Sequence, residues 1–199
     1  MVAKAEIPAV FRQQIDAALQ SGELHLPQVI AAMPTEPLRL RSTETHRPVF
    51  HVLAPLSTAV ETDTPAFRWT AVQGAKFQVF VYDERFREIM HSDVVESTEW
   101  TVSEPLPRGV IYRWEVRATL GAESASAPAP PDPDAVFQLM SDADAASAAA
   151  ARKALADNPL GLGIVYANLG AVEQAREVLG KAPDAAAAAL LGKLPKPLR

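Results

Sequence analysis

The chain of 199 residues contains no cysteine. Disulfides, thiolate metal sites and a cysteine nucleophile are therefore excluded. There is no apolar run of about 20 residues, the length needed to span a bilayer. The N-terminus, Met-Val-Ala-Lys-Ala-Glu-Ile-Pro, has no basic flank leading into an apolar core. No direct membrane insertion is expected, and the chain as written reads as soluble and cytoplasmic. As a fragment of a membrane-anchored protein it would be extracytoplasmic. A cluster of positive charge is also missing. Residues 48–140 hold seven basic and thirteen acidic side chains, whereas residues 1–47 hold five of each and residues 141–199 hold seven and six. Binding along a phosphate backbone needs clustered Lys and Arg, so the acidic centre argues against a nucleic-acid partner.

Recognisable catalytic motifs are absent as well. No Gly-x-Ser-x-Gly elbow occurs, and Gly161-Leu162-Gly163 lacks the lysine or third glycine of a phosphate loop. The four histidines, His25, His46, His51 and His91, have no acidic residue at ligand spacing within one regular element, whereas zinc needs three or four converging ligands. Asp83, Glu84 and Glu88 are interleaved with Arg85 and Arg87, which reads as a solvated turn rather than an acid–base pair. No nucleophile, base and orienting group can be assembled, so the expectation is a non-enzymatic protein without a cofactor.

What is present divides into three segments, 1–46, 47–140 and 141–199. Apolar residues make up 48% and charged residues 22%, the balance of a soluble globular protein. The Ala/Pro/Arg-rich composition points to a bacterial source. In the first segment, roughly Ile7–Arg41, Val10, Phe11, Ile15, Ala18 and Leu19 recur at helical spacing, and Ser21-Gly22 supplies a stop. A second short helix is expected over Pro27–Met33, ended by Pro34 and Pro37.

The middle segment reads as all-β. Expected strands are Val49–Leu53, Ala66–Thr70, Lys76–Tyr82, Glu88–Val95, Trp100–Val102, Ile111–Leu120 and Ala135–Met140, separated by turn residues. The proline-rich run Ala127–Pro133 fits a stiff edge or loop, because proline cannot donate to a central ladder. In Tyr112–Ala118, apolar and charged residues alternate. Tyr112, Trp114, Val116 and Ala118 fall on one face, and Arg113, Glu115 and Arg117 on the other.

Leu106, Gly109 and the alternating Tyr112, Trp114, Val116 and Ala118, with Trp69 and the alternating Phe77, Val79 and Val81, resemble the fibronectin type III family. The resemblance covers about half the chain and includes its tyrosine corner. It implies a sandwich that binds rather than catalyses. Trp114 is bulkier than the family's usual aliphatic residue there.

The third segment is helical and alanine-rich, as in Ala143–Ala154 and Ala185–Ala189, alanine being the best helix former. Asp142 or Asp144 is expected to cap a helix that Asn158-Pro159 ends. Helices are then expected over Leu160–Leu169, Val172–Leu179 and Asp184–Leu194. Gly163, Tyr166, Gly170, Ala175, Leu179 and Ala182 are spaced so that this segment resembles one tetratricopeptide repeat, a family of protein–protein interaction modules. The departures are Pro159 and Pro183. The expected fold class is thus α+β, an antiparallel β-sandwich of fibronectin type III-like kind, flanked by an N-terminal helix and a C-terminal α-helical hairpin.

If Phe77, Val79 and Val81 face the core, Phe80 and Tyr82 point outward. In the resembled fold their strand pairs with the strand of Tyr112, which gathers Phe80, Tyr82, Arg113 and Arg117 on one outer face. Aromatics beside arginines are enriched at binding hot spots. These four residues are the candidate partner-binding site, and the partner is another protein or a second copy of this chain. Cover by the chain's own flanking helices is the competing use of that face. Two further readings stay open. One is a carbohydrate-binding or envelope-sensing domain using Trp100. The other is a self-associating structural protein.

Overall fold

Residues 7–35 and 50–196 are described by the structure, a computed structural model. The expected strand start at Val49, the stop at Pro37, the end of the helical lead at Arg41, and His46 lie outside the described residues. By its internal contacts the chain divides into two units, a helical unit made of the chain through Ala32 together with Met140–Pro195, and a sheet unit over Met33–Leu139. The chain through Ala32 and the third segment thus belong to the same unit, while the rest of the first segment, from Met33, falls with the sheet. Together the two units make a mixed α+β chain, with no closed barrel among the described residues.

The sheet unit holds nine strands among the described residues: β1 Val52–Ala54, β2 Thr58–Val60, β3 Ala66–Trp69, β4 Lys76–Tyr82, β5 Glu88–His91, β6 Glu99–Thr101, β7 Ile111–Leu120, β8 Glu123–Ala127 and β9 Ala135–Leu139. One sheet has the order β1-β3-β6 and the other the order β2-β9-β7-β4-β5, with β8 also on β7. All the pairs are antiparallel except β2 with β9. The length of β7 lets it take two successive neighbours on one side. Ile111–Trp114 pairs with β9, and Val116–Leu120 pairs with β8.

Two of these strands, β2 and β8, are absent from the sequence expectation. The segment Glu-Ser-Ala-Ser-Ala has no β-branched or aromatic residue, so intrinsic preference gives no signal. It becomes a strand because Gly121, with φ 62°, turns the chain back onto β7. Beyond β5, the expected extension to Val95 survives as one bridge, Val95 to Phe77.

The inward faces of the two sheets share one core that includes Phe67, Trp69, Phe77, Tyr112, Trp114 and Phe137. Phe67 meets Trp114 edge-on at 4.9 Å between ring centres and Phe137 at 5.6 Å. The bulk of Trp114 is absorbed by a polar contact as well as by packing, since its indole Nε1 donates to the Pro55 carbonyl at 2.9 Å. Tyr112 is buried, and its hydroxyl donates to the Pro107 carbonyl at 2.8 Å, tying the start of β7 to the turn before it.

The helical unit contains α1 Ala9–Ser21, α2 Gln28–Ala31, α3 Asp142–Ala154, α4 Pro159–Asn168, α5 Val172–Lys181 and α6 Ala185–Leu191. Gly22 ends α1 in the left-handed conformation, its N–H reaching the Ala18 carbonyl at 2.9 Å. The cap of α3 is Ser141, whose hydroxyl accepts from the Asp144 N–H at 3.1 Å; Asp142 and Asp144 occupy the first turn, where their charge suits the helix dipole. Asn158 does not close α3. It caps α4 by accepting from the Gly161 N–H at 2.9 Å, with Pro159 in the first turn.

Helix α4 is apolar around almost its whole circumference and is buried from Gly161 to Ala167. Its glycines permit close approach on two sides. A Cβ on Gly161 would lie 2.8 Å from Ile15 of α1, and one on Gly163 would lie 2.5 Å from Leu179 of α5. The unit is closed by an ion pair from Lys193 to Glu23 at 2.7 Å and by a hydrogen bond from the Arg176 guanidinium to the Pro195 carbonyl. Among the described residues, no helix is long and apolar enough to cross a membrane.

Candidate functional site

The β4–β7 register decides which side chains share the outer face of the six-stranded sheet. Tyr82 stands opposite Arg113, Phe80 opposite Glu115 and Gln78 opposite Arg117. Phe77, Val79 and Val81 belong to the core, so the alternation turns Phe80 and Tyr82 outward. The four candidate residues therefore do share one face.

That face exposes little of its aromatic surface. Phe80 is only 9% exposed. The Arg117 guanidinium lies over its ring at 4.8 Å, and the His91 ring lies 6.0 Å away. The physical reason is that long arginine stems on a neighbouring strand can cover an aromatic while their charged heads remain wet. The polar groups are also engaged with one another. The Tyr82 hydroxyl donates to Glu115 at 3.1 Å, and Arg117 approaches the same carboxylate at 3.6 Å. Burial, and then the Glu115 charge, push the Tyr82 hydroxyl up to about 12. Arg113 binds Asp134 at 2.9 Å.

The exposed aromatic is one the sequence reading passed over. Phe86, in the turn between β4 and β5, is 66% exposed and has φ +59°. A bulky side chain in the left-handed region is a conformational outlier. The turn is held by Asp83, which accepts from the N–H groups of Arg85 at 2.8 Å and Arg87 at 3.0 Å and from the Arg87 Nε at 2.7 Å. These bonds, led by the Arg87 backbone N–H, hold the Asp83 carboxyl below its ordinary range. The Phe86 ring rests on the Arg113 guanidinium at 4.7 Å. A cavity of about 170 Å³ opens beside them, lined by Tyr82, Phe86, Arg113, Glu115, Pro128 and Asp134. The available signal is a single aromatic between two arginines, Arg85-Phe86-Arg87, in an otherwise charged turn.

The other candidates have local roles. Glu88 pairs with His91 at 2.8 Å, and His51 pairs with Asp132 at 2.9 Å. Among the described residues, no group of three or more potential metal ligands converges. Trp100 on β6 is half-buried and stacks on Phe67 at 5.7 Å, so most of its ring serves the core. What the surface around Phe86 offers is an aromatic anchor, Arg113 already oriented by Asp134, and a small adjoining hollow. Such a set binds by apolar burial and charge-assisted hydrogen bonds. Compared with known proteins, the chain matches no family model and no curated sequence.

Proposed function

We propose that the chain is a non-enzymatic protein–protein interaction module, a regulatory or assembly component whose partner is another protein. The sheet unit is read as a fibronectin type III-like sandwich, a reading supported by the strand orders β1-β3-β6 and β9-β7-β4-β5 and by the Tyr112–Pro107 hydrogen bond. The helices α4 and α5 are read as a tetratricopeptide-like hairpin. The close approach of Gly163 to Leu179 and the turn at Gly170 support that reading.

The observation that carries the function is Phe86. A strained backbone and an exposed large aromatic at Phe86 coincide with the Asp83 carboxylate that holds the same turn. Strain of this kind persists only where the surroundings over-determine it, and it concentrates at ligand-binding positions. Phe86 is the anchor in this reading. Arg113 and Arg117 supply charged contacts. Asp134 holds Arg113, Glu115 with its Tyr82 hydrogen bond lies beside Arg117, and Phe80 is the platform beneath Arg117.

The test is site-specific photo-cross-linking with benzoylphenylalanine in place of Phe86, and separately in place of Leu53, an exposed residue on the other sheet. The proposal expects a discrete adduct to a second protein from position 86 and none from position 53. An adduct at twice the chain mass identifies self-association instead. Equal labelling from both positions, or none from position 86, removes the basis for the proposal.

A further inference from the structure

The edge strands of the sheet unit differ in how they are protected. A free edge presents unpaired N–H and C=O groups, and proteins blunt it with short strands, bulges, charged side chains or proline. Strands β1, β2 and β6 are three residues long. Strand β5 has four residues, its register on β4 shifts at Val81/Tyr82, and it carries the Glu88–His91 pair. Strand β8 runs five residues in unbroken register on β7, and Glu123 is its only charged side chain. At the other end of β7, the neighbour β9 is itself covered by β2. Beside β8 no further strand follows among the described residues.

Gly121-Ala122 is a two-residue hairpin loop closed by the pair Leu120 and Glu123. The closing pair of such a hairpin exchanges backbone hydrogen bonds, and bonded pairs alternate along the ladder. Glu123, Ala125 and Ala127 therefore bond β7, and the backbone groups of Ser124 and Ser126 point away from it. Neither serine makes a hydrogen bond outside the hairpin to a described residue. A hollow of about 470 Å³ opens on the core-facing side of this edge. Phe50, Ala75 and Ala118 close its floor. Val72, Leu120 and Ala125 form its walls, and Leu120 is 48% exposed. Glu123 stands at the rim and has no ion-pair partner among the described residues.

From this we infer that β8 is a docking edge for an extended basic segment of another protein, which adds a strand antiparallel to β8 and turns a large apolar side chain into the hollow. In strand addition the main-chain bonds give affinity and pockets for alternate side chains give specificity. Antiparallel pairing is the more stable per residue. Paired residues project their side chains to the same face. The residue opposite Ala125 therefore lies over the hollow, and the residue opposite Glu123, two positions later, lies beside the carboxylate. The recognised pattern is an apolar residue, any residue, then Lys or Arg. The basic character follows from Glu123 and from the thirteen acidic against seven basic side chains of residues 48–140. A second copy of this chain is the poorer occupant. Strand β8 on β8 sets Ala125 against Ala125 and Glu123 against Ala127, which leaves the hollow unfilled and the carboxylate unpaired. This edge is separate from the Phe86 turn, and the inference does not depend on that surface.

The experiment uses the full chain, labelled with nitrogen-15 and titrated with the peptide acetyl-Thr-Ala-Thr-Phe-Thr-Lys-Thr-amide. The expected result is saturable shifts and slowed amide exchange at Ser124 and Ser126. A peptide N-methylated at the two threonines flanking its phenylalanine lacks the donors that face β8. It should bind at least about tenfold more weakly, the loss that two missing hydrogen bonds account for. Glu123→Lys should weaken binding by about threefold, and a peptide with glutamate in place of lysine should recover that loss on the variant. Ser124→Pro removes an outward N–H that β7 does not use and should abolish binding in a folded chain. If that variant fails to fold, the N-methylated peptide decides the question with the protein unchanged. The inference is overturned by an absence of saturable shifts at millimolar peptide, by equal binding of the N-methylated peptide, or by shifts confined to the Phe86 turn. Shifts at Ser124 and Ser126 that grow with the concentration of the chain alone would identify a second copy as the occupant and overturn it as well.

Discussion

The Arg113 guanidinium lies 4.7 Å from the centre of the Phe86 ring while Asp134 holds the same guanidinium at 2.9 Å. An exposed cation–π contact of this kind contributes about 0.5–1 kcal/mol. The left-handed backbone beneath the ring costs about 1–2 kcal/mol for a residue with a bulky side chain. The two nearly cancel, so Phe86 contributes little to folding. Phe86→Asn, which suits the left-handed conformation, should therefore leave the melting temperature unchanged or raise it. A fall of more than about 4 °C in a calorimetric scan, equivalent to more than about 1 kcal/mol at this chain length, would show that Phe86 is a structural residue.

Tyr82 provides a pH prediction. Its folded-state pKa of about 12 lies above the ordinary 10.0, mainly because the hydroxyl is buried and also because it faces Glu115. The folded chain keeps this proton at pH values where the unfolded chain has lost it. The associated stability is whole below pH 10 and is lost as the pH rises toward 12. Absorbance titration at tyrosine wavelengths should show a late phase that shrinks in Tyr82→Phe, the remainder belonging to Tyr112, which burial also raises. Glu115→Gln should bring that phase down without restoring the ordinary value, because burial remains. A Tyr82 phase centred at 10 in the wild type would contradict the hydrogen bond to Glu115.

The bond from Tyr112 to the Pro107 carbonyl fixes the entry into β7, the strand that carries Arg113, Glu115 and Arg117. Tyr112→Phe removes the donor and leaves the ring in place. The expected loss is about 1–2 kcal/mol in urea unfolding. A loss near zero would mean that the corner does not hold the strand.

Two glycines in the helical unit should respond in opposite senses. In Gly163→Ala the new methyl would meet Leu179 Cγ at 2.5 Å, and Leu179 is buried, so α4 and α5 must part. Overpacking of this kind costs about 1–3 kcal/mol. A Cβ at Gly180 meets nothing within 4 Å, and Gly180→Ala should gain up to about 1 kcal/mol of helix propensity. Hydrogen exchange at α4 and α5 amides reads both. Equal protection in the two variants would contradict the close packing of these helices.

Much of the chain's organisation was legible because it rests on period. The alternation in Lys76–Tyr82 and Ile111–Leu120 places the core residues correctly, and the spacing in Ala9–Ser21 gives the first helix. Elements without such a signal were missed. Strand β8 is made by pairing rather than by preference, and the cap of α3 is a serine one residue before the aspartates that drew attention. Joining the first helix to the third segment in one unit involves Gly161 meeting Ile15, a contact more than a hundred positions apart that no local pattern encodes. At the candidate site, the sequence placed four residues on one face but did not anticipate that Arg117 covers Phe80. The left-handed conformation of Phe86 arises from three hydrogen bonds to Asp83, which composition does not reveal.

The most direct test of the interaction surface is a quantitative cross-linking pull-down from native cell lysate, with wild type beside Phe86→Asn and with both proteins shown to be folded by their melting curves. The account predicts one protein that is enriched by wild type and lost with Phe86→Asn at unchanged stability. Equal recovery of the same proteins by both would contradict it.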